Sequence, residues 1–567
     1  MVGSGGAALR AALAARDQGA DVLLVTKGKF GYCGATASGI AELGGFLSAN
    51  GYTDPEDNPD VFFQDIVSSS RGMADPSIVR VLVENSVRAF KELEDYGVRF
   101  ERNEDGSYQQ VHSEFTSKPR MHILKKHGIP IVRSLMEHVL KNGVRVIDHS
   151  MVTRLLVKEN RVIGATIYTN RNELIYIQAK AVILGTGGAG QLFKFNMNTV
   201  EMTGDGYSLG YRAGAELMNM EYIQAGAGFI HPFRNILHPW AWPVMPRILN
   251  GNNEEFIEKY LPTGMTVEQC FTDRGTYFPF STSHSSFHMD VAIKKEIMLG
   301  RGTKRGGVYL DYSRCESRDF GTGTELSSLW PHLKHWLLSR NIDVNKQLLE
   351  ISIFGHAFNG GMRINEIAET KVEQLFAAGE GAAGPHGADR PGGQMLMTSQ
   401  VFGRIAGEQA GRRTKTLAFE DAMQLAMEEE QRINAISKQN GSVRPKALFK
   451  EIQNVMWESL IVNRSKDGLN SNLKAVEEFR RELKYVKVEN SSDIRKVLEM
   501  ENMLEVGEII TNAALTREES RGSHYREDKP QKDDENWLNW IIVTKSDNGI
   551  NLRVSENKNF SQFAKQV

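Results

Sequence analysis

Short apolar runs that end in glycine alternate along this chain with longer stretches of helical periodicity. After Met1-Val2-Gly3-Ser4-Gly5-Gly6-Ala7-Ala8, a helical run reaches Gln18, and a short apolar strand follows at 21–26. Residues 55–145 read as largely helical and charged. Residues 150–180 read as a β-meander with strands at 153–157, 161–167 and 173–178. A buried strand begins at Ala181 and runs into Gly185-Thr186-Gly187-Gly188-Ala189-Gly190. Thr203-Gly204-Asp205-Gly206 opens a helix of small residues. Between 229 and 350 aromatics and histidines crowd in, as expected of an inserted domain. The first pattern returns at 351, with a strand at 374–380 and a helix from Met395 to Ala410. Residues 416–515 predict a charged helical bundle. Residues 521–567 are polar, with strand-like pieces at 540–543 and 552–554.

The opening segment carries chemistry as well as structure. Glycine loop, helix and strand follow one another with the G-x-G-x-x-A spacing of dinucleotide-binding folds. Gly3 permits the sharp turn, Gly5 lets backbone approach a pyrophosphate, and Ala8 keeps helix and strand close. The helix N-terminus then offers free N–H groups to phosphate. Only Met1-Val2 precede the loop where a strand of about five residues is expected, so the chain is read as beginning inside its first strand. Asp205 fits two roles: capping its own helix, or accepting from ribityl or ribose hydroxyls.

Composition narrows the function classes. The chain has 68 Lys+Arg against 70 Asp+Glu, a net charge of −2, and so no net field to hold nucleic acid. A 41% hydrophobic content excludes global disorder. Cys33, Cys270 and Cys315 lie far apart and form no C-x-x-C pair. The chain is therefore not expected to hold its own metal or iron–sulfur cluster, or a disulfide framework. No apolar run reaches the roughly 18–20 residues of a membrane span, and no signal peptide is visible, which points to the cytoplasm. The 53 glycines cluster at 3–6, 185–190, 204–206, 360–361 and 379–393, where backbone is expected to turn tightly or approach a ligand.

The order of Gly3-Ser4-Gly5-Gly6, 181–190, Thr203-Gly204-Asp205-Gly206, Ala377-Ala378-Gly379-Glu380 and His386-Gly387-Ala388-Asp389-Arg390, closed by 519–528, resembles one flavoprotein superfamily. Its members are the succinate dehydrogenase and fumarate reductase flavoprotein subunits, L-aspartate oxidase and the adenylylsulfate reductase alpha subunit. The resemblance implies an α/β fold. A Rossmann-like FAD-binding domain (1–228 and 351–415) would be split by an α+β capping domain (229–350). A helical domain (416–520) and a C-terminal tail (521–567) would follow. It also implies FAD contacts at Gly3, Gly5, Gly6, Thr26, Lys27, Gly187, Gly188, Asp205, Glu380, Arg390 and Leu396. Covalent attachment in the dehydrogenase branch uses a histidine in the loop that here spans 30–39. That loop has none, so FAD is expected to be non-covalent; Cys33 within it reads as a small buried residue.

Departures from the pattern bear on the substrate. The family's Phe-His-Pro-Thr after Glu-x-x-Gln is replaced by Ala225-Gly226-Ala227 after Gln224. Its Arg-Gly-Glu-Gly-Gly is replaced by 240–247, and its proton-delivering arginine by Met289. His356 and Arg390 remain. The expected activity is hydride transfer between flavin and a substrate that is not a simple C4 dicarboxylate. Arg390 would hold that substrate, with Arg247 or Arg274 joining it if the substrate is a different anion. Proton transfer would come from His288, His356 or Tyr277, and the helix start at Gln394-Met395 would face the flavin. Two alternatives stay open. One is an adenylylsulfate-reductase-like enzyme with Trp240 and Trp242 stacking on adenine. The other is a degenerate subunit with structural FAD, against which His356 and Arg390 argue. Reoxidation is expected through a separate iron–sulfur or other electron-transfer subunit, which would also provide any membrane association; direct use of oxygen is the rival.

Overall fold

The computed structural model describes residues 1–38, 43–319, 321, 324–414 and 420–557. Gly39, the 415/416 border and the last ten residues of the tail lie outside the described residues.

A parallel sheet organises the first and third segments. Strand Leu23–Val25 pairs with Arg145–Ile147 on one side, and Val182–Leu184 pairs with Leu375–Ala377 on the other. Val2 joins the two pairs, bridging Val25 and Leu184 in parallel, with its N–H on Ile183 O and its carbonyl accepting from Gly185. Helix Gly6–Asp17 leaves this sheet and lies against helix Gln394–Gly411. The contact is backbone-close. A methyl group on Gly403 would stand 2.7 Å from Ala7 O, one on Gly407 2.3 Å from Ala11 O, and one on Gly411 3.0 Å from Ala15 O. Glycine every fourth residue against alanine every fourth residue gives both helices a groove instead of a ridge.

The meander at Met151–Lys158, Arg161–Tyr168 and Leu174–Gln178 forms one antiparallel sheet, covered by helix Glu420–Ser437. The segment 55–145 is not only helical. Met121–Lys125 pairs with Leu43–Leu47 and Gln110–Val111, a small sheet whose glycines and short strands concealed it. Strands Ile223–His231 and Leu349–Phe358 run antiparallel through the molecule and carry the inserted segment at their far ends. The expected borders at 228/229 and 350/351 both fall inside these strands, because a long buried pair crosses from one domain to the other. Nor is the tail a polar appendage. Asn539–Ser546 pairs with Leu217–Met218 and Gly549–Glu556, and Trp540, Ile541, Ile542 and Val543 are buried. Among the described residues no helix is long and apolar enough to cross a membrane.

A buried charge network binds the helical segment to this frame. Arg517 donates to Glu221 at 2.7 Å and to Glu519 at 2.9 Å, and Arg521 donates to Glu519 at 2.7 Å. The carboxylates keep Arg517 charged against the desolvation of full burial. Arg464 donates to Nδ1 of His524 at 2.6 Å, and burial holds that imidazole neutral.

Two substitutions test these contacts. Gly407→Ala pushes a methyl into Ala11 O and is expected to destabilise by about 1–3 kcal/mol, with loss of flavin content. Arg517→Met strands Glu221 and Glu519 and is expected to cost about 3–5 kcal/mol. Urea unfolding with flavin absorbance checks both.

Candidate active site

One cavity of about 700 Å³ runs from the glycine loop to the inserted domain. At one end Gly3 turns at φ +106°, and a Cβ there would stand 2.3 Å from Gly185 O. Gly5 borders open space, and the following helix has no side-chain cap. Helix Gln394–Gly411 starts on the same cavity from Gly393, in left-handed backbone at φ +82° and again without a side-chain cap. Two helix N-termini therefore present unsatisfied N–H groups and positive dipole ends to one space.

Gly3, Gly5, Gly6, Thr26, Lys27, Gly187, Asp205, Glu380, Arg390 and Leu396 all line this cavity. Gly188 does not; its N–H donates to Glu380 at 3.1 Å, which holds that carboxylate in place. Lys27 and Asp205, expected as separate contacts, bind one another at 2.7 Å, with Glu499 3.1 Å from the same ammonium. Burial works against both charges, but the pairing outweighs it and keeps Lys27 above and Asp205 below their ordinary ranges. Asp205 is also not the helix cap. Gly204 holds that position, and Asp205 accepts from Thr203 and Asn502. Cys33 is buried in the wall, 3.2 Å from Ser4 Oγ.

At the other end His356 and Arg390 meet. Strand Leu349–Phe358 has a bulge here: Ala357 pairs with Gln224 and Gly355 with Ala225, which leaves His356 as the extra residue and re-aims its side chain. Arg390 donates to His356 Nε2 at 3.2 Å, so the imidazole proton sits on Nδ1. That Nδ1, and Nε of Arg390, are enclosed without a partner. Burial pushes His356 down to about 3, with Arg390 and His127 adding to it, so it is neutral at physiological pH. Burial lowers Arg390 to about 10, against Glu114 and Glu380, and it remains charged.

Several expected residues are elsewhere. His288 sits on helix Phe287–Glu296 against Phe287, outside the cavity, since the helix turns Met289 into the core and His288 away from Arg390. Tyr277 stacks on His284 at 4.3 Å and does not reach the cavity. Arg247 is bound to Asp311, and Arg274 to Asp290 at 2.8 Å with both side chains buried, so neither joins Arg390. Trp242 is core at 1% exposure; Trp240 lines the cavity. Phe278 covers the bare backbone of Gly226, 3.1 Å from where its Cβ would be, and meets His356 edge-on at 5.5 Å.

Two residues escaped the sequence reading. His127 lines the cavity in left-handed backbone at φ +54°, with Nδ1 enclosed and unpartnered; burial and Arg390 push it down to about 4. Glu114 lines the cavity beside Gly392 and bears on Arg390. Both lie in the segment read as largely helical and charged, and only the fold brings them to Arg390.

The model of an FAD binding domain matches residues 1–396, and that of a fumarate reductase flavoprotein C-terminal domain matches 449–564. The chain belongs to the fumarate reductase and succinate dehydrogenase flavoprotein family. The flavoprotein is 34% identical to one subunit of the "Fumarate reductase (CoM/CoB)" of Methanothermobacter marburgensis, over 96% of each chain. It is 27% identical to a solved Mycobacterium smegmatis Sdh1, covering 98% of this chain and 93% of that one at TM-score 0.84. Adenylylsulfate reductase from Archaeoglobus fulgidus shares the fold at TM-score 0.71, with 18% identity, 98% of this chain and 94% of that one. FAD is the family's cofactor. The cavity fits it: the open N-terminus of helix Gly6–Asp17 suits a pyrophosphate, that of helix Gln394–Gly411 suits the flavin ring, and enclosed, unpartnered Nδ1 of His356 and Oε1 of Gln224 suit a polar ligand.

Asp389, beside Arg390, provides a pH test. Burial pushes its carboxyl up to about 7, against a 2.7 Å hydrogen bond from Ser281 and the nearby Arg71. A raised folded pKa means that its contribution to stability is full below about pH 4 and is lost as pH rises through about 7. Thermal unfolding across that window is expected to show wild type losing more stability than Asp389→Asn.

Proposed function

We propose that this chain is the FAD-bearing subunit of an oxidoreductase that moves a hydride between flavin and a substrate carbon next to an anionic group, and that the substrate is not a simple C4 dicarboxylate. The observation that carries this reading is the charge at the reacting end. Of the cations lining the cavity, Lys27 is bound to Asp205 and Glu499, and Lys125 to Glu101. Among the described cavity residues Arg390 is the cation that forms no ion pair, Glu114 and Glu380 acting on it only at longer range, so one anionic group finds a charged donor and a second does not.

Bound FAD supplies the two-electron hydride chemistry. Gly3, Gly5 and Gly6 hold its phosphates through backbone, and Lys27, Thr26, Gly187, Asp205, Glu380 and Leu396 line the rest of its bed without a covalent link. The N-terminus of helix Gln394–Gly411 would face the flavin ring and favour negative charge there. Arg390 binds the anionic group of the substrate. His356, a neutral donor at Nδ1, orients the substrate. Electrons pass to or from a separate electron-transfer protein, cluster-bearing in our reading. The three cysteines are free, buried and far apart, and the M. marburgensis relative is itself named as one subunit of its enzyme.

Fumarate is the rival substrate, on the name of that relative. A flavin-bleaching screen identifies the preferred substrate, and reduced viologen dye then reports fumarate turnover. The reading expects fumarate at or below about 1% of the preferred substrate's rate, since a missing general acid costs about 10²–10⁴-fold. Comparable turnover of fumarate contradicts it.

A further inference from the structure

Beyond Phe278 the cavity wall changes character. Ile236, His238, Trp240, His332 and Trp336 line the same space as His356 and Arg390. The indole of Trp240 lies parallel to His238 at 6.0 Å and meets Trp336 and His332 edge-on, both at 5.6 Å. His332 and Trp336 stand four residues apart on helix Glu325–Leu338, which places both on one face. Burial keeps His238 below its ordinary range and therefore neutral. Among the described residues this stretch of wall contributes no lysine, arginine, aspartate or glutamate to the cavity; Arg340 lies against the Trp336 ring, 4.1 Å from its centroid, but does not line the space. A second carboxylate there would be desolvated with no charged group lining the space to meet it. A flat apolar group would instead meet rings in the parallel and edge-on arrangements that aromatic pairs favour.

We propose that the substrate is a monoanion with a planar conjugated or aromatic tail, its anionic group on Arg390 and its tail against the Trp240–Trp336 wall. This rests on the reading of Arg390 given above and adds the tail to it. The wall selects by shape as well as by apolarity. A ring edge or face meets a flat partner over its whole area, whereas a puckered ring of the same size touches indole and imidazole through fewer atoms.

The test is titration of the oxidised holoenzyme, followed by perturbation of the flavin spectrum, with four probes: trans-cinnamate, 3-cyclohexylpropenoate, crotonate and fumarate. Cinnamate is expected to bind about tenfold or more tighter than crotonate and clearly tighter than the cyclohexyl acid. In Trp240→Ala, and independently in Trp336→Leu should the first variant lose FAD, the ratio of cinnamate to crotonate affinity is expected to fall toward one. Cyclohexylpropenoate binding as tightly as cinnamate overturns the flat tail in favour of a merely greasy one. A cinnamate preference that survives both substitutions overturns the wall. Arg390→Met reports separately on the underlying reading. If it leaves the affinity of all four anions unchanged, Arg390 is not the anion holder, while the affinity ratios still decide the wall.

Discussion

Gly403, Gly407 and Gly411 lie on the backbone of Ala7, Ala11 and Ala15, and much of the cofactor end depends on that contact. Side chains of ordinary size would hold two helices about 8–10 Å apart. Without them the helices close up, and the start of each opens onto the same cavity. Neither N-terminus is closed by a side chain. The small-residue stripe thus does two things at once: it packs the sheet's covering helices, and it leaves two sets of donors facing one ligand.

The rest of the frame preserves this arrangement by pairing charge internally. Lys27 is bound to Asp205 and to Glu499 on the long helix Ser491–Thr516, which couples the end of the second sheet strand to the helical segment. Glu221, Arg517 and Glu519 do the same under the start of the crossing strand that carries Gln224. Arg390 is the exception, a buried cation facing the cavity that forms no ion pair among the described residues, with Glu114 and Glu380 acting on it only at longer range. A buried charge without an ion pair is expensive to hold, which is why the proposed substrate places an anionic group there.

Features repeated locally were legible from sequence. Glycine spacing, the meander and the strand–glycine runs carry their periodicity in a few neighbouring residues, and family motifs ordered them. Side-chain direction was not legible. His288 is next in sequence to the position that resembles the family's arginine, yet helical twist sends it elsewhere. His356 was visible as a residue, but its orientation comes from a bulge that exists only in the pairing with Gln224 and Ala225. His127 and Glu114 sit in turns with no pattern of their own. Arg247 and Arg274 look free in sequence, and their partners Asp311 and Asp290 are assigned only by the fold. The Asn539–Ser546 strand has one of its two partners, Leu217–Met218, more than 300 residues away, beyond reach of any local signal.

The central claim is that the uncapped N-terminus of helix Gly6–Asp17 holds the cofactor through its pyrophosphate, while that of helix Gln394–Gly411 faces the flavin ring. Calorimetric titration of the apoprotein with FAD and with riboflavin tests it most directly. The account predicts one FAD per chain, and riboflavin weaker by several orders of magnitude, because riboflavin keeps the ring and the ribityl chain but brings no phosphate to helix Gly6–Asp17. Riboflavin binding as tightly as FAD would contradict it.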